Sequence, residues 1–280
     1  MLNSQSLVST SWLTENINNP NIRIFDSSWH MPNAGRNAKA EYENAHIAGA
    51  LFFDVDEIAD TENSLPHMMP SEEKMAVRLR SFGISNSDHI IMYDNSVDLS
   101  ATRGWYMFKT FGHEKVSVLD GGLTKWVSEG QPVTDDITIF AKSHYIASKD
   151  ENATRTVEQL IKNVTSKNEQ VIDARSNGRF LGTEPEPRAT LKSGRIPNSF
   201  NVPFNKLFND DKTFKSPNDI KEIFLNSGAD LNKPIVTSCG SGITACTLLF
   251  ALELIGQDNK SLYDGSWTEW GSHPDTPVIK

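Results

Sequence analysis

The chain repeats itself, and that repetition limits its fold more than any other feature. Four landmarks occur twice in the same order. Ile22-Arg23-Ile24-Phe25-Asp26 is answered by Gln170-Val171-Ile172-Asp173. His46-Ile47-Ala48-Gly49-Ala50 is answered by Arg195-Ile196-Pro197-Asn198-Ser199. Ile90-Ile91-Met92-Tyr93-Asp94 is answered by Ile235-Val236-Thr237-Ser238-Cys239. Leu119-Asp120-Gly121-Gly122-Leu123-Thr124-Lys125-Trp126 is answered by Tyr263-Asp264-Gly265-Ser266-Trp267-Thr268-Glu269-Trp270. The spacings agree. Asp26 to His46 is 20 and Asp173 to Arg195 is 22; His46 to Asp94 is 48 and Arg195 to Cys239 is 44; Asp94 to Trp126 is 32 and Cys239 to Trp270 is 31. A period of this length exceeds the roughly 20–50 residues of solenoid repeats. It reads as a duplicated domain, and 280 residues suit two domains of ordinary size.

Each half alternates short β-type runs with helix-type runs. That pattern predicts an α/β fold, a parallel sheet covered by helices on both faces. Residues 72–82 read as a helix with Met75, Leu79 and Phe82 on one face and Gly83 as its stop. Residues 217–225 read the same way, with Gly228 near the end. The polar stretch 132–152 has little helical period and is the expected join. The expected domains are 1–140 and 152–280.

The chemistry is concentrated in Ser238-Cys239-Gly240-Ser241-Gly242-Ile243-Thr244-Ala245. An apolar strand-like run precedes this stretch and an apolar helix-like run, Ile243–Leu254, follows it. In parallel sheets, ligands bind beyond the carboxyl ends of the strands, where Cys239 stands. Loop amides and the helix dipole there favour negative charge, hence thiolate over thiol. Such a sulfur is a nucleophile at neutral pH. The plain alternative is a buried cysteine in a tight turn. Cys246, the other cysteine, reads as a small apolar helix residue, and its offset of seven from Cys239 is poor for a disulfide. A reducing, cytoplasmic setting is expected.

The first half has Asp94 where the second has Cys239, and its loop 95–100 lacks glycine. A carboxylate repels an anionic substrate and carries no sulfur. The first domain is therefore expected to be catalytically inactive and to close one side of the site; two independent binding domains are the alternative.

The second half also carries Gly178-Arg179-Phe180-Leu181-Gly182-Thr183-Glu184-Pro185-Glu186-Pro187-Arg188. Its prolines predict extended backbone. Arg179 and Arg188 could then face one cleft, where paired N–H donors suit a carboxylate; pairing with Glu184, Glu186 or other carboxylates is the alternative. The position six after Cys239 is Ala245, not the arginine of a tyrosine-phosphatase loop, so a phosphatase is not expected. Gly240 and Ser241 are uncharged, which points away from a dianion bound at the loop.

The bulk composition, 38% hydrophobic and 22% charged, is that of a globular chain with a real core. A net charge of −9 argues against nucleic acid and anionic membrane as partners. No apolar run approaches the ~20 residues that span a bilayer. The segment Met1 to Trp12 lacks the basic and apolar regions of a secretion signal. No histidine-cysteine cluster has zinc spacing, and no metal or cofactor is expected.

CGSGITA, the downstream YDGSWTEW, the upstream GRFLGTEPEPR and a cysteine-free first half together resemble the tandem rhodanese-type sulfurtransferases. The resemblance covers residues 12–277. CGSGITA resembles the loop of members that use 3-mercaptopyruvate, whereas thiosulfate-preferring relatives tend to carry basic residues after the cysteine. The resemblance implies two rhodanese-like domains and a sulfurtransferase that moves sulfur from 3-mercaptopyruvate through a cysteine persulfide and releases pyruvate. The acceptor would be cyanide, a small thiol or thioredoxin. Cys239 would take the sulfur, with Ser241 bonding nearby. Arg179 and Arg188 would bind the substrate, along with Gly240, Gly242, Ile243 and Thr244. His46 is a further candidate, against a plain role as a turn histidine. A thiosulfate sulfurtransferase and a non-catalytic persulfide carrier are the competing readings. Two departures from the family pattern stand out. Asn37 replaces an aspartate ahead of His46, which puts an Asp–His–Ser relay in doubt, and Arg195 replaces a histidine.

Overall fold

Runs of Ile, Val and Leu alternate with helices. The computed structural model, which describes residues 6–280, arranges them as two parallel five-stranded sheets. The first holds β1 (Leu7–Val8), β2 (Ile22–Asp26), β3 (Ala50–Phe52), β4 (His89–Tyr93) and β5 (Val116–Leu119). The second holds β6 (Thr154–Arg155), β7 (Gln170–Asp173), β8 (Phe200–Asn201), β9 (Ile235–Ser238) and β10 (Lys260–Tyr263). The strand orders are β1-β5-β4-β2-β3 and β6-β10-β9-β7-β8. Subtracting five from each label of the second gives the first, so the repeat of landmarks is a repeat of topology. Register agrees: Asp26 pairs with Tyr93, and Asp173 with Ser238. The chain thus leaves the central strands at Asp94 in one half and Cys239 in the other. Residues Ile90, Ile91, Met92 and Tyr93 are fully buried, as a strand covered on both faces requires.

The expected helices form at Glu72–Ser81 and Pro217–Asn226, capped by the Ser71 and Ser216 side chains. The helix Ile243–Leu254 is apolar all round and almost wholly buried, the signature of an internal helix. It packs against its counterpart, Ala101–Thr110. The Thr102 and Thr247 hydroxyls lie 3.1 Å apart, and Trp105 meets Phe250 edge to face at 4.9 Å. Both contacts join positions 145 residues apart. Equivalent residues meeting each other mark a local two-fold axis between the helices, as in an isologous dimer. Cys239 follows β9 close to that seam.

The join 132–152 is irregular, as its composition predicts, but it is strapped to the first half. Tyr145 is fully buried with its hydroxyl 3.0 Å from His113 Nδ1. Its carbonyl accepts from Arg80 Nε at 2.8 Å. Phe140 lies under the Arg23 guanidinium. Among the described residues no helix is long and apolar enough to cross a membrane. The reading of the segment Met1 to Trp12 as no secretion signal falls partly on residues 1–5, outside the described residues.

Candidate active site

The cysteine loop is held from several sides. Cys239 is 2% exposed, and the Gly242 N–H donates to its Sγ at 3.1 Å. Gly242 adopts φ +85, which turns that amide back toward the sulfur. The Cys239 N–H donates to Ser266 Oγ at 3.1 Å, and its carbonyl accepts from Trp267 N at 2.9 Å. The Gly240 carbonyl accepts from Thr268 N at 2.9 Å and Thr268 Oγ1 at 2.7 Å. The loop is thus fastened to the start of the helix Ser266–Trp270. The twelve-residue helix Ile243–Leu254 begins immediately after it and contributes the positive end of its dipole.

Cys239 borders a cleft with Arg179, Pro187, Arg188, Gly240, Ser241, Ile243 and Thr244, and the first half adds Trp29, Met31 and Asp98. The two arginines therefore share one cleft with the sulfur. Arg179 also satisfies the alternative reading: its Nη2 and Nε meet Glu186 Oε2 at 2.7 and 3.1 Å. Glu186 Oε1 accepts from Arg175 Nη1 at 2.7 Å, and Arg175 is held by Asp173 at the end of β7. Arg175 is fully buried over the Trp267 ring. A line of alternating charge thus runs from the sheet to the cleft wall and fixes Arg179. Arg188 Nη1 lies 3.3 Å from Thr268 Oγ1, the hydroxyl that also holds the cysteine loop. Extended backbone is not found throughout 178–188. Asn177–Leu181 is a short helix capped by Ser176, because the prolines lie beyond it and place no restriction on it.

The remaining contacts come from the first half and were not read from sequence. His67 Nδ1 lies 3.1 Å from the Ser241 carbonyl oxygen, and its Nε2 lies 3.0 Å from Asp56 Oδ1. Trp29 Nε1 donates to Asp56 Oδ2 at 3.0 Å. Burial opposes the charge on Asp56, but the bonds from His67 and Trp29 prevail and hold its carboxyl below the ordinary value. Arg103, fully buried, donates through Nη1 to Asp264 Oδ1 at 3.0 Å and to the Gly242 carbonyl at 3.4 Å. Its Nη2 donates to the His67 carbonyl. Asp264 Oδ2 accepts from Met69 N at 2.6 Å. The signal for Arg103 was present: an arginine among Ala101, Trp105 and Phe108 on the inner face of an apolar helix.

His46 does not border this cleft. Its ring lies 2.7 Å from the Tyr42 carbonyl and 3.1 Å from that of Asp136, stacked on Tyr42. It is a turn histidine that ties β3 to the join, as a short turn lined with carbonyls favours. Asn37 caps the helix Ala38–Asn44, accepting from Ala40 N at 3.0 Å. The carboxylate–histidine–loop chain is instead built from Asp56 and His67. Arg195 covers the Phe180 ring. Cys246 is buried, its thiol 3.2 Å from the Gly242 carbonyl and pushed up to about 12 by burial. Trp126, Trp267 and Trp270 pack in the interior. A far roomier cavity, about 700 Å³, lies beside Trp12, His89 and Lys109. No cysteine lines it.

A cysteine following a buried central strand, in a loop whose amide faces the sulfur, occurs here in the second of two copies of one fold. The rhodanese-like domain matches residues 9–129 and again 156–273. The chain belongs to the rhodanese family. Over 95% of its length it is 39% identical to 3-mercaptopyruvate sulfurtransferase of Rattus norvegicus, covering 92% of that protein. It is 41% identical to thiosulfate sulfurtransferase of Cricetulus griseus with the same coverage. Among solved structures it superposes on SseA from Escherichia coli, described as a 3-mercaptopyruvate sulfotransferase, with TM-score 0.86 and 36% identity. That match covers 95% of this chain and all of SseA. In this rhodanese the first copy of the loop is filled from within. Asp94 Oδ1 accepts from Ser96 N at 2.8 Å and Oδ2 from Ala101 N at 2.7 Å. The carboxylate sits at the start of the helix Ala101–Thr110, the position that the cysteine loop holds in the second copy.

Proposed function

We propose that this rhodanese is a sulfurtransferase that takes sulfur from 3-mercaptopyruvate. The observation that carries the reading is a single cleft holding the Cys239 sulfur, a backbone N–H aimed at it, and two arginines. Arg188 and the free edge of Arg179 bind the donor's carboxylate and keto oxygen through charge-assisted bonds. The Cys239 thiolate attacks the donor thiol sulfur. The carbon–sulfur bond breaks, and its electron pair leaves on pyruvate as the enolate. The thiol proton, now on the persulfide, passes to the enolate carbon through solvent. Arg179 and Arg188 stabilise the enolate oxygen, while the Gly242 amide and the helix dipole stabilise charge on sulfur. Asp56 and His67 position the loop through the Ser241 carbonyl.

In the second half-reaction a nucleophile attacks the outer persulfide sulfur and regenerates the thiolate, which gives ping-pong kinetics. Cyanide and small thiols are the proposed small acceptors, able to reach the sulfur of Cys239, which is 2% exposed, and reduced thioredoxin is the proposed protein acceptor. A reducing, cytoplasmic compartment keeps Cys239 and Cys246 as the free thiols found here. The domains divide at the join, 1–140 and 152–280, and Asp94 leaves the first without activity.

Intact-mass measurement after mercaptopyruvate treatment tests this directly. One added sulfur atom is expected in the wild type and none in Cys239→Ser. Arg188→Ala removes a charge-assisted contact of about 1.5–3 kcal/mol, so kcat/KM falls roughly tenfold to a hundredfold. Sulfur gained without pyruvate turnover would instead indicate a carrier. The similarity to a thiosulfate sulfurtransferase favours thiosulfate as the second reading. A higher kcat/KM for thiosulfate than for mercaptopyruvate would establish it.

A further inference from the structure

The charges around the cleft carry information about the donor. Arg179 is neutralised by Glu186, Glu186 is shared with Arg175, and Arg175 is paired with Asp173, so this line of four groups balances. Of the charged side chains bordering the cleft, that leaves Arg188 and, opposite in sign, Asp98. Asp98 comes from the loop 95–100, the first-half copy of the cysteine loop. In place of its own site, that loop lines its neighbour's. Burial raises the Asp98 carboxyl above its ordinary value even though His30 and Arg179 pull it down.

We infer that Asp98 sets the charge of the sulfur donor, admitting a monoanion and disfavouring a dianion. The inference rests on the sulfurtransferase reading and deepens it. A donor with one carboxylate gains Arg188 and the edge of Arg179 and meets one repulsive charge. A dianion such as thiosulfate meets that repulsion twice, with no added cation in the cleft to offset it. At separations of several ångströms in a partly screened cleft, the extra repulsion is worth on the order of tenfold. Specificity here is a repulsive element placed against the wrong ligand. The uncharged Gly240 and Ser241 act in the same direction, because neither adds a cation for a second negative charge.

The test compares the full chain with Asp98→Asn, Asp98→Ser and Asp98→Glu, using cyanide as acceptor. The ratio of kcat/KM for thiosulfate to that for mercaptopyruvate should rise about tenfold in the two neutral variants and stay unchanged in Asp98→Glu. A parallel arm measures how sulfate, a dianion, and pyruvate, a monoanion, protect Cys239 from alkylation. Sulfate should protect the neutral variants at several-fold lower concentration than the wild type, with pyruvate changing less. Ratios within twofold of wild type in both neutral variants, or an equal rise in Asp98→Glu, overturn the inference. Should no form of the protein transfer sulfur, the sulfurtransferase reading fails, and the alkylation arm still decides whether Asp98 selects by charge.

Discussion

Replacing Gly242 with alanine probes both the stability and the chemistry of the loop. Gly242 holds φ +85, where an L-residue costs roughly 1–2 kcal/mol. A Cβ added there would lie 3.0 Å from the Asp264 carbonyl oxygen and 3.3 Å from Arg103 Nη1. Neither can retreat easily: Asp264 follows β10 directly, and Arg103 is fully buried and paired. Overpacking of this kind costs about 1–3 kcal/mol. The two terms together give a loss of about 2–5 kcal/mol. At about 2–4 °C per kcal/mol for large domains, Tm should fall by at least ~4 °C. The amide that faces Cys239 Sγ at 3.1 Å moves with the backbone. Losing a preorganised donor outright costs about 10²–10³ in rate, so a displaced one should slow pyruvate release by roughly tenfold to a hundredfold. Scanning calorimetry and single-turnover pyruvate release read the two effects separately. Gly240→Ala is the control. Its φ is not left-handed, and its new Cβ would meet a side-chain tip, Arg179 Nη2 at 3.2 Å, rather than backbone. It should leave Tm nearly unchanged and act on KM for mercaptopyruvate. A Gly242→Ala protein with wild-type Tm and wild-type pyruvate release would refute the account of the loop.

Arg103→Met leaves Asp264 without its cation in the seam and should cost about 3–5 kcal/mol in chemical denaturation. The double variant with Asp264→Asn should lose less than the sum of the two single losses, and strict additivity would show that the pair is not coupled. Burial pushes Asp94 up to about 7 despite two backbone donors. The folded state therefore binds a proton that the unfolded chain has released, and stability gains from this group as pH falls from 8 through 7 toward the unfolded carboxylate range. The rise in unfolding free energy between pH 8 and 6 should be flatter in Asp94→Asn; an identical slope would remove Asp94 as its source.

The fold was legible because duplication supplies two readings of each element. Where Ile22–Asp26 alone suggests a strand, its echo in Gln170–Asp173 at the same distance from the next landmark fixes its place in the order. The cysteine loop was legible because strand, glycines and helix are contiguous there. For Arg179 and Arg188 the sequence leaves a shared cleft and pairing with nearby carboxylates both open, and prolines that lie beyond Asn177–Leu181 mask its short helix. Asp56, His67, Asp98 and Arg103 were not found. All four lie in the first half, and three of them bond or border the second-half loop across 139–174 residues of chain. Periodicity reports the face an element buries, but it does not say which distant loop will meet it.

The duplication also accounts for why these hidden residues lie where they do. A two-fold axis that passes between Thr102 and Thr247 sets the carboxyl ends of both central strands beside the same seam. Whatever the first copy places after β4 is therefore close to whatever the second places after β9. The Asp94 carboxyl occupies the backbone donors Ser96 N and Ala101 N of the first copy, so on the proposed reading its loop has no ligand of its own to hold. It is then free to supply part of a wall: Asp98 comes from it, and Trp29 and Met31, which follow β2, complete that side. A single domain could carry the cysteine loop, but it would leave the sulfur open on the side that these residues now close. The separately produced second domain should therefore alkylate faster at Cys239 than the whole chain, with circular dichroism reporting its fold. It would also lose discrimination between sulfate and pyruvate as protecting anions. Equal alkylation rates and unchanged discrimination would mean that the first copy shapes neither the access nor the charge of the site.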